Sequence, residues 1–156
     1  MPKLSAGILL YRRSAAGLEV LLVHPGGPFW AKRDDGAWSV PKGEYEAEED
    51  PLDAARREFR EELGSDAPDG EPIPLGEVRQ RSGKRVIAWA LEGDLDPATV
   101  RSNTFTMEWP PRSGGVREFL EVDRAGWFDL ETARTKLVAG QDALIDRLAE
   151  AVAAQG

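Results

Sequence analysis

The sequence contains no cysteine and only one histidine, His24, among its 156 residues. Without cysteine the chain has no disulfide, no thiolate nucleophile and no cysteine-based zinc site. A single histidine argues against a Ser-His-Asp triad and excludes paired-histidine zinc motifs such as HExxH. We interpret His24 as a strand-end residue rather than a catalyst. The chemistry left to the chain is that of carboxylates, lysine, hydroxyl groups and bound metal ions.

An excess of positive charge and a long apolar run are also missing. The chain carries 20 basic against 28 acidic residues, a net charge of −8, which argues against a protein that binds nucleic acid as a general polyanion. Small phosphorylated ligands stay compatible because metal ions can supply local positive charge. The first apolar run is too short for a secretory signal, and no stretch approaches the roughly 18 residues of a membrane span. We therefore expect a soluble, cytoplasmic protein with no membrane partner.

The length indicates one domain, residues 1–156, which can bury roughly 70% of its unfolded surface. The sequence shows no internal repeat, low-complexity tract or long linker. It leaves the oligomeric state open, including a homodimer through an exposed edge strand. Hydrophobic and turn patterns predict strands at 4–11, 18–24, 72–80, 84–92 and 103–109, and late helices at 130–138 and 141–154.

The most informative stretch runs from Gly43 to Ser65, a loop followed by a helix predicted at about residues 51 to 63. Asp50 is a good N-cap, and Pro51 suits the first helical position. Gly64 can adopt the left-handed conformation that ends a helix. The bounds of this helix are therefore set by local sequence.

At about 100° per residue, the surface of this helix divides into three sectors. The apolar stripe comprises Leu52, Ala55, Phe59 and Leu63; the acidic flank comprises Glu58, Glu61 and Glu62; the opposite, basic flank comprises Arg56, Arg57 and Arg60. Like charges one turn apart cost about 0.2–0.5 kcal/mol per pair. A bound Mg²⁺ or Mn²⁺ would reverse that penalty, because hard cations prefer carboxylate oxygens. The alternative is a solvated acidic face.

The whole stretch resembles the Nudix box, the signature of hydrolases that cleave a nucleoside diphosphate linked to another group. The matched pattern is Gly43, five residues, Glu49, seven residues, Arg57-Glu58-Phe59, one residue, Glu61-Glu62, one residue and Gly64. Only Ser65 departs from it, since an aliphatic residue is usual there. The resemblance implies an α/β/α sandwich with a mixed central sheet.

The resemblance also implies a set of metal ligands. Glu58 and Glu62 would be the main ligands of Mg²⁺ or Mn²⁺. Glu61 would be a further ligand or a water-activating group, and the Gly43 carbonyl another oxygen donor. Members of this family often add an acidic residue from a late loop. Glu118 or Glu121 resembles that residue, with Glu121 preferred as a ligand, so the general base stays open between Glu61, Glu118 and Glu121.

Two further residues of the box would orient these carboxylates. The resemblance implies that Arg57 and Glu49 hold the ligands in place. Arg57, Glu58 and Glu61 are thus the catalytic candidates. Asp53, four residues before Arg57, either shares that arginine or forms an ordinary surface ion pair worth little.

Candidate substrate-binding residues lie before the box. The family resemblance places Lys42 near a substrate phosphate, with a solvated lysine as the alternative. Phe29 and Trp30, in a glycine-rich loop, either stack on a nucleobase or fold back over the core. The basic run 79–85 is interpreted as the solvated tip of a hairpin rather than a phosphate contact.

These features together predict metal-dependent hydrolysis of a phosphoanhydride in a nucleoside triphosphate or a related small nucleotide. In this mechanism the metal ions neutralise the diphosphate and activate a water molecule. Two alternatives stay open on the sequence alone. The substrate could be a dinucleoside polyphosphate or a nucleotide sugar, or the chain could be a non-catalytic Nudix-fold module that only binds a nucleotide.

Overall fold

Eight strands and three helices make up residues 4–155, the part of the chain that the computed structural model describes. The strands are β1 (Leu4–Ser14), β2 (Gly17–Pro25), β3 (Lys42–Glu44), β4 (Ile73–Arg79), β5 (Arg85–Glu92), β6 (Thr104–Glu108), β7 (Val116–Leu120) and β8 (Val122–Asp129). The helices are α1 (Pro51–Leu63), α2 (Leu130–Lys136) and α3 (Ala143–Ala154), and a single 3₁₀ turn covers Pro97–Thr99. Residues 1–3 and 156 of the predicted domain lie outside the described range.

The central sheet is mixed and has the strand order β4-β5-β1-β2-β8. β1 runs parallel to β5, whereas the other pairs in this sheet are antiparallel. The short strand β3 pairs with the first part of β1, with Gly43 opposite Ala6. β6 and β7 form a separate two-stranded sheet. The position of β3 beside a central strand places the start of the box at the middle of the fold.

Apolar side chains of β1 are buried on both faces of the sheet. Ile8 and Leu10 join the cluster that contains Phe59 of α1, whereas Leu9 joins the cluster that contains Leu148 of α3. Successive residues of a strand point to opposite faces, so a strand covered on both sides reads as a continuous apolar run. Helix α1 therefore covers one face of the sheet and α2 with α3 the other, which confirms the predicted α/β/α sandwich.

Helix α1 begins and ends where its sequence predicts. The Asp50 side chain accepts a hydrogen bond from the Asp53 amide (3.1 Å), and Pro51 is the first helical residue. Gly64 ends the helix at φ +82°, and a Cβ there would lie 2.5 Å from the Arg101 carbonyl oxygen. Glycine is therefore required for two reasons, the left-handed conformation and the close approach of the 101 segment.

For the other elements, the sequence predictions differ from the structure mainly at the late strands. The two early strands, the 72–92 hairpin, the strand at 103–109 and both late helices are confirmed to within a few residues. β3, β7 and β8 were not predicted. β7 is exposed or half-buried throughout, and the burial of β8 does not alternate, so neither has a regular apolar pattern. Among residues 4–155, the structure has no helix long and apolar enough to cross a membrane.

We predict that Gly64→Ala lowers the free energy of unfolding by about 1–3 kcal/mol, because an alanine is strained at positive φ and its methyl group meets the 101 backbone. Urea denaturation measures the loss. Gly114→Ala is the matched control, since Gly114 has φ +78° with nothing within 4 Å of its Cβ position. Equal losses in the two variants would show that the close approach contributes nothing.

Candidate metal and phosphate site

The first glycine of the box allows the Glu58 side chain to lie against strand β3. A Cβ on Gly43 would fall 2.0 Å from the Glu58 carboxyl carbon. The absence of a side chain at residue 43 thus creates the space that the carboxylate occupies. Glu58 itself is only 9% exposed, on the side of α1 that faces the sheet. The spacing between Gly43 and Glu58 in the box therefore has a direct steric explanation.

Glu62 lies one turn further along α1 and also contacts β3. One of its carboxylate oxygens accepts a hydrogen bond from the Lys42 main-chain amide at 3.1 Å. Residues four apart occupy the same face of a helix, so Glu58 and Glu62 approach two consecutive residues of the same short strand. The helix and β3 are held in register by these two acidic side chains.

Arg57 links the acidic residues of the box to one another. It binds Glu49 through two hydrogen bonds, Nε to Oε2 at 3.0 Å and Nη2 to Oε1 at 3.1 Å. Its Nη1 donates to Glu58 at 2.9 Å and to the two Glu61 oxygens at 3.4 and 3.5 Å. Although its position on the helix belongs to the basic flank, the Arg57 side chain reaches the acidic flank, because Arg57 and Glu61 are one turn apart. The Arg57 hydrogen bonds in the described structure go to these glutamates and not to Asp53.

Of the two late acidic candidates, Glu121 is the one that lies near the box. The Glu121 amide donates to the Asn103 carbonyl, and the Asn103 amide donates to the Glu61 carbonyl, both at 2.9 Å. Partial burial and then the Glu61 charge raise the pKa of Glu121. Glu118 is exposed on β7 opposite Thr106. The two candidates could not be separated by spacing, because the turn between β7 and β8 was not predicted.

Burial and mutual repulsion disfavour the charged forms of these carboxylates. Burial raises the pKa of Glu62 to about 8, against an ordinary value of 4.5. Burial and then the charge of Glu61 raise the pKa of Glu58. A positive charge bound among these groups would offset both effects. The acidic face is therefore more than a solvated surface.

The chemistry of the donor groups here fits a divalent cation. Among residues 4–155, no three acidic or histidine side chains are already arranged as a metal centre. Arg57 instead contacts the carboxylates of Glu58 and Glu61. The donors are all oxygens, which suit hard cations, and the Gly43 cradle leaves Glu58 directed at β3.

A cavity of about 660 Å³ is lined by Lys42, the residue whose amide binds Glu62. Its lining includes Trp30, Ser39, Lys42, Gln80, Arg81, Ser82 and Lys84. Burial lowers the pKa of Lys42, while the nearby Glu62 charge opposes that shift and Lys84 adds to it. Lys42 therefore belongs to both places: its amide binds a box glutamate, and the residue is part of the cavity lining.

The predicted aromatic pair is separated in the structure. Trp30 lines the cavity and also packs against the core. Phe29 is 62% exposed and packs edge-to-face against Trp109, with 5.6 Å between ring centres. Phe29 therefore neither joins the core nor lines this cavity. Adjacent residues in a loop point in different directions, and the sequence contained no signal for the choice.

In the basic run 79–85, Arg79 and Arg81 are exposed, as the sequence predicted for a hairpin tip, but part of the run also lines the cavity. Gln80, Arg81 and Lys84 lie around the same cavity as Trp30 and Lys42. The run belongs to the β4–β5 turn, which the structure folds against the segment after α2 through Arg81 N and the Ala139 carbonyl (3.3 Å). That contact joins residues distant in sequence, so pattern analysis could not find it.

His24 has a structural position, as predicted. It is fully buried, with Nδ1 2.8 Å from an Asp123 carboxylate oxygen and Nε2 2.7 Å from the Arg33 carbonyl oxygen. These contacts tie the loop before the box to β8. Gln141, also buried, was missed because no local motif surrounds it.

Comparison with protein families gives a match that covers nearly the whole chain. The family model for the NUDIX domain matches residues 1–148. The match extends far beyond the 23 residues from Gly43 to Ser65 and includes every element that contributes to the site.

Solved structures with the same architecture include an Ap4A hydrolase and a NUDIX domain in complex with ADP ribose. A binary complex of the C. elegans Ap4A hydrolase has a TM-score of 0.68 at 22% identity and covers 96% of this chain and 98% of its own. The NUDIX domain of Shewanella oneidensis NrtR, complexed with ADP ribose, has a TM-score of 0.65 at 16% identity, with 97% and 89% coverage. At these identities the likeness concerns the fold.

Curated relatives match over shorter ranges. An RNA pyrophosphohydrolase from Rhodospirillum rubrum is 43% identical over 67 residues, 41% of this chain and 39% of that protein. An octanoyltransferase from Myxococcus xanthus is 36% identical over 102 residues, 65% of this chain. The chain spans only 25% of the octanoyltransferase, so neither similarity extends over a whole relative.

We predict that Glu62→Gln stabilises the metal-free protein and removes its stabilisation by Mg²⁺. The folded-state pKa of Glu62, about 8, lies above its ordinary 4.5. Between those pH values the unfolded state releases this proton while the folded state keeps it, so wild-type stability falls as the pH rises. The amide does not titrate and can still accept the Lys42 hydrogen bond. In EDTA, the melting-temperature advantage of the variant should therefore grow from about pH 5 to about pH 8.

Thermal denaturation with and without Mg²⁺ measures both effects. Glu48→Gln is the control, because Glu48 is exposed and lies outside the box pattern. Mg²⁺ should raise the melting temperature of the wild type and of this control. Equal stabilisation of Glu62→Gln by Mg²⁺ would show that Glu62 is no ligand.

Proposed function

Because the chain belongs to the Nudix family, hydrolases that act on phosphoanhydride bonds, we propose that it cleaves a small nucleotide in a metal-dependent reaction. The substrate is a nucleoside diphosphate linked to another group. The observation that carries the proposal is the position of Lys42, whose amide binds Glu62 while the residue also lines the adjacent cavity. The proposal treats residues 1–156 as a single catalytic domain, and its cytoplasmic location stays a prediction.

The charges around the cavity favour a polyphosphate over a nucleotide sugar. Lys42, Arg81 and Lys84 all line it, in a protein whose net charge is −8. Three cations close together suit a chain of phosphates, which carries several negative charges, better than a diphosphate joined to a neutral sugar. We therefore place nucleoside triphosphates and dinucleoside polyphosphates first. The Ap4A hydrolase likeness supports the second of these.

Mg²⁺ or Mn²⁺, when bound, would neutralise the phosphates and lower the pKa of a bound water molecule. The residues proposed to hold it are the Gly43 carbonyl and the carboxylates of Glu58, Glu61, Glu62 and Glu121. All of these provide oxygen ligands, the type that both cations prefer.

Arg57 and Glu49 have a positioning role in this proposal. The two hydrogen bonds to Glu49 hold the guanidinium plane, and Nη1 then holds one Glu58 oxygen at 2.9 Å. Bidentate pairing of this kind fixes orientation as well as charge. The Glu58 carboxylate is thereby kept against β3, with less freedom to turn away from a bound cation.

Glu61 and Glu121 are the proposed candidates for the general base. The Glu61 side chain is 36% exposed, so water reaches it, and Glu121 is near enough for Glu61 to shift its pKa upwards. A carboxylate with a raised pKa is a better proton acceptor for water at neutral pH. Glu118, exposed on the separate two-stranded sheet, is left out of the mechanism.

The cavity would bind the part of the substrate away from the cleaved bond. Lys42 contacts a phosphate there, and Trp30 provides an aromatic surface for a nucleobase. Phe29 was predicted as a second base-binding residue, but it lies outside the cavity lining and is left out of the proposal.

The test of the proposed function is product analysis after incubation with ATP, Ap4A and a nucleotide sugar, each in Mg²⁺ and in EDTA. Metal-dependent cleavage is expected, fastest for the polyphosphates. Cleavage of the nucleotide sugar alone would contradict the substrate class. Tight binding without cleavage of any compound would instead identify a nucleotide-binding module.

We predict that Glu62→Gln lowers kcat with Mg²⁺ at least 100-fold, because even residues that only support metal ligands contribute 10–100-fold. Steady-state kinetics on the best substrate measure the loss, with circular dichroism as a check on the fold. Glu118→Gln is the matched control and should retain wild-type turnover. Full activity in Glu62→Gln would contradict the metal assignment.

Trp30→Leu should raise KM by about 5–150-fold with a smaller change in kcat, because base stacking contributes about 1–3 kcal/mol. Leucine retains apolar contact with the core. Phe29→Leu is the control and should leave KM unchanged. A larger effect at Phe29 would place the base on the outer surface beside Trp109.

A further inference from the structure

The side chain of Gln141 joins three separate segments of the chain. It is fully buried, and its Oε1 accepts a hydrogen bond from the Val40 amide at 3.0 Å. Its Nε2 donates to the Ser39 hydroxyl at 3.0 Å and to Gln80 Oε1 at 2.9 Å. The three partners come from the loop before β3 and from the β4–β5 turn, about 60 and 100 residues away. One buried amide thus connects three loops.

The β4–β5 turn, residues 79–85, is held to the segment before α3 at further points. The Arg81 amide donates to the Ala139 carbonyl at 3.3 Å. A Cβ on Gly140, which has φ +102°, would lie 2.3 Å from the Arg79 carbonyl oxygen. Only glycine permits this approach, so the backbone of the turn lies directly on the segment that carries Gln141.

The residues that Gln141 binds are also walls of the cavity. Ser39 and Gln80 line it, and so do their neighbours Arg81, Lys84 and Lys42. Lys42 follows the Val40 amide by two residues. Lys42 and Lys84 line the same cavity, and like charges close together repel one another. The hydrogen bonds of Gln141 oppose that repulsion and keep the two sides of the cavity together.

We propose that Gln141 is a positioning residue for substrate binding, which sets the distance of Arg81 and Lys84 from Lys42. The inference rests on the proposed function, since the ligand of these cations is the polyphosphate of the substrate. Gln141 touches no substrate atom and takes no part in proton transfer. Its loss should therefore weaken binding while the box glutamates continue to work.

Two substitutions separate this role from simple core packing. Gln141→Leu removes both donors and the acceptor. Gln141→Glu keeps the shape and the acceptor for Val40 but places carboxylate oxygen against the Gln80 oxygen. Each should raise KM for Ap4A about tenfold or more, since displacement of the turn would cost a charge-assisted contact of Arg81 or Lys84 with a phosphate, with kcat within about threefold of the wild type. A loss of kcat at unchanged KM would overturn the proposal.

A double-mutant cycle with Arg81 gives the sharper test. Arg81→Ala should raise KM for Ap4A in the wild type, yet change it little when Gln141→Leu has already displaced the turn. Arg13→Ala, at the end of the β1–β2 hairpin where Arg13 pairs with Glu92, is the matched control. It should leave KM unchanged in both backgrounds. Additive effects of Arg81→Ala and Gln141→Leu would contradict the proposed coupling.

Hydrogen exchange in EDTA tests the same proposal without turnover. The amides of Gln80 and Gly83 are hydrogen-bonded within the turn, to Lys84 and Gln80 carbonyls at 2.8 and 2.9 Å. Exchange at these amides should accelerate in Gln141→Leu and Gln141→Glu, while helix α1 keeps its protection. Unchanged exchange at the turn would overturn the proposal. If exchange at the turn accelerates in both variants but the wild type cleaves no nucleotide, the proposed function is overturned instead.

Discussion

The contact between helix α1 and strand β3 is the constraint on which the site depends. The Glu58 carboxylate occupies the space that a side chain at residue 43 would need, and Glu62 accepts a hydrogen bond from the Lys42 amide. Both acidic groups are held in low-dielectric surroundings, where their charges are costly without a counterion. The same packing that completes the core on one face of the sheet therefore creates a place for positive charge.

The chain places charges of both signs around Lys42. Glu62 and Glu58 are near enough for their charges to act on it, and Arg81 and Lys84 line the cavity that Lys42 also lines. A phosphate chain extending across Lys42 would meet a metal-binding group at the bond to be cleaved and fixed cations further away. Under the proposed function, this arrangement would allow a strongly acidic protein to bind an anionic substrate.

Family resemblance and local patterns predicted the sandwich, the bounds of α1 and the identity of the box glutamates. Helix periodicity alone placed Arg57 on the basic flank, whereas the family resemblance gave it the orienting role that its contacts with Glu58 and Glu61 fit. Neither could separate Trp30 from Phe29 or Glu121 from Glu118. In each case the answer depended on the direction of one side chain or on a strand with no apolar alternation.

The sequence by itself determined the features that have a local cause: the N-cap and glycine end of α1 and the one-turn spacing of its glutamates. Only the tertiary structure decided which distant residues share the site. The β4–β5 turn reaches the cavity because Gly140 permits a close backbone approach and Gln141 bonds to Ser39, Val40 and Gln80. Such contacts join segments 60 to 100 residues apart, and their geometry depends on packing of the whole sheet rather than on any local pattern.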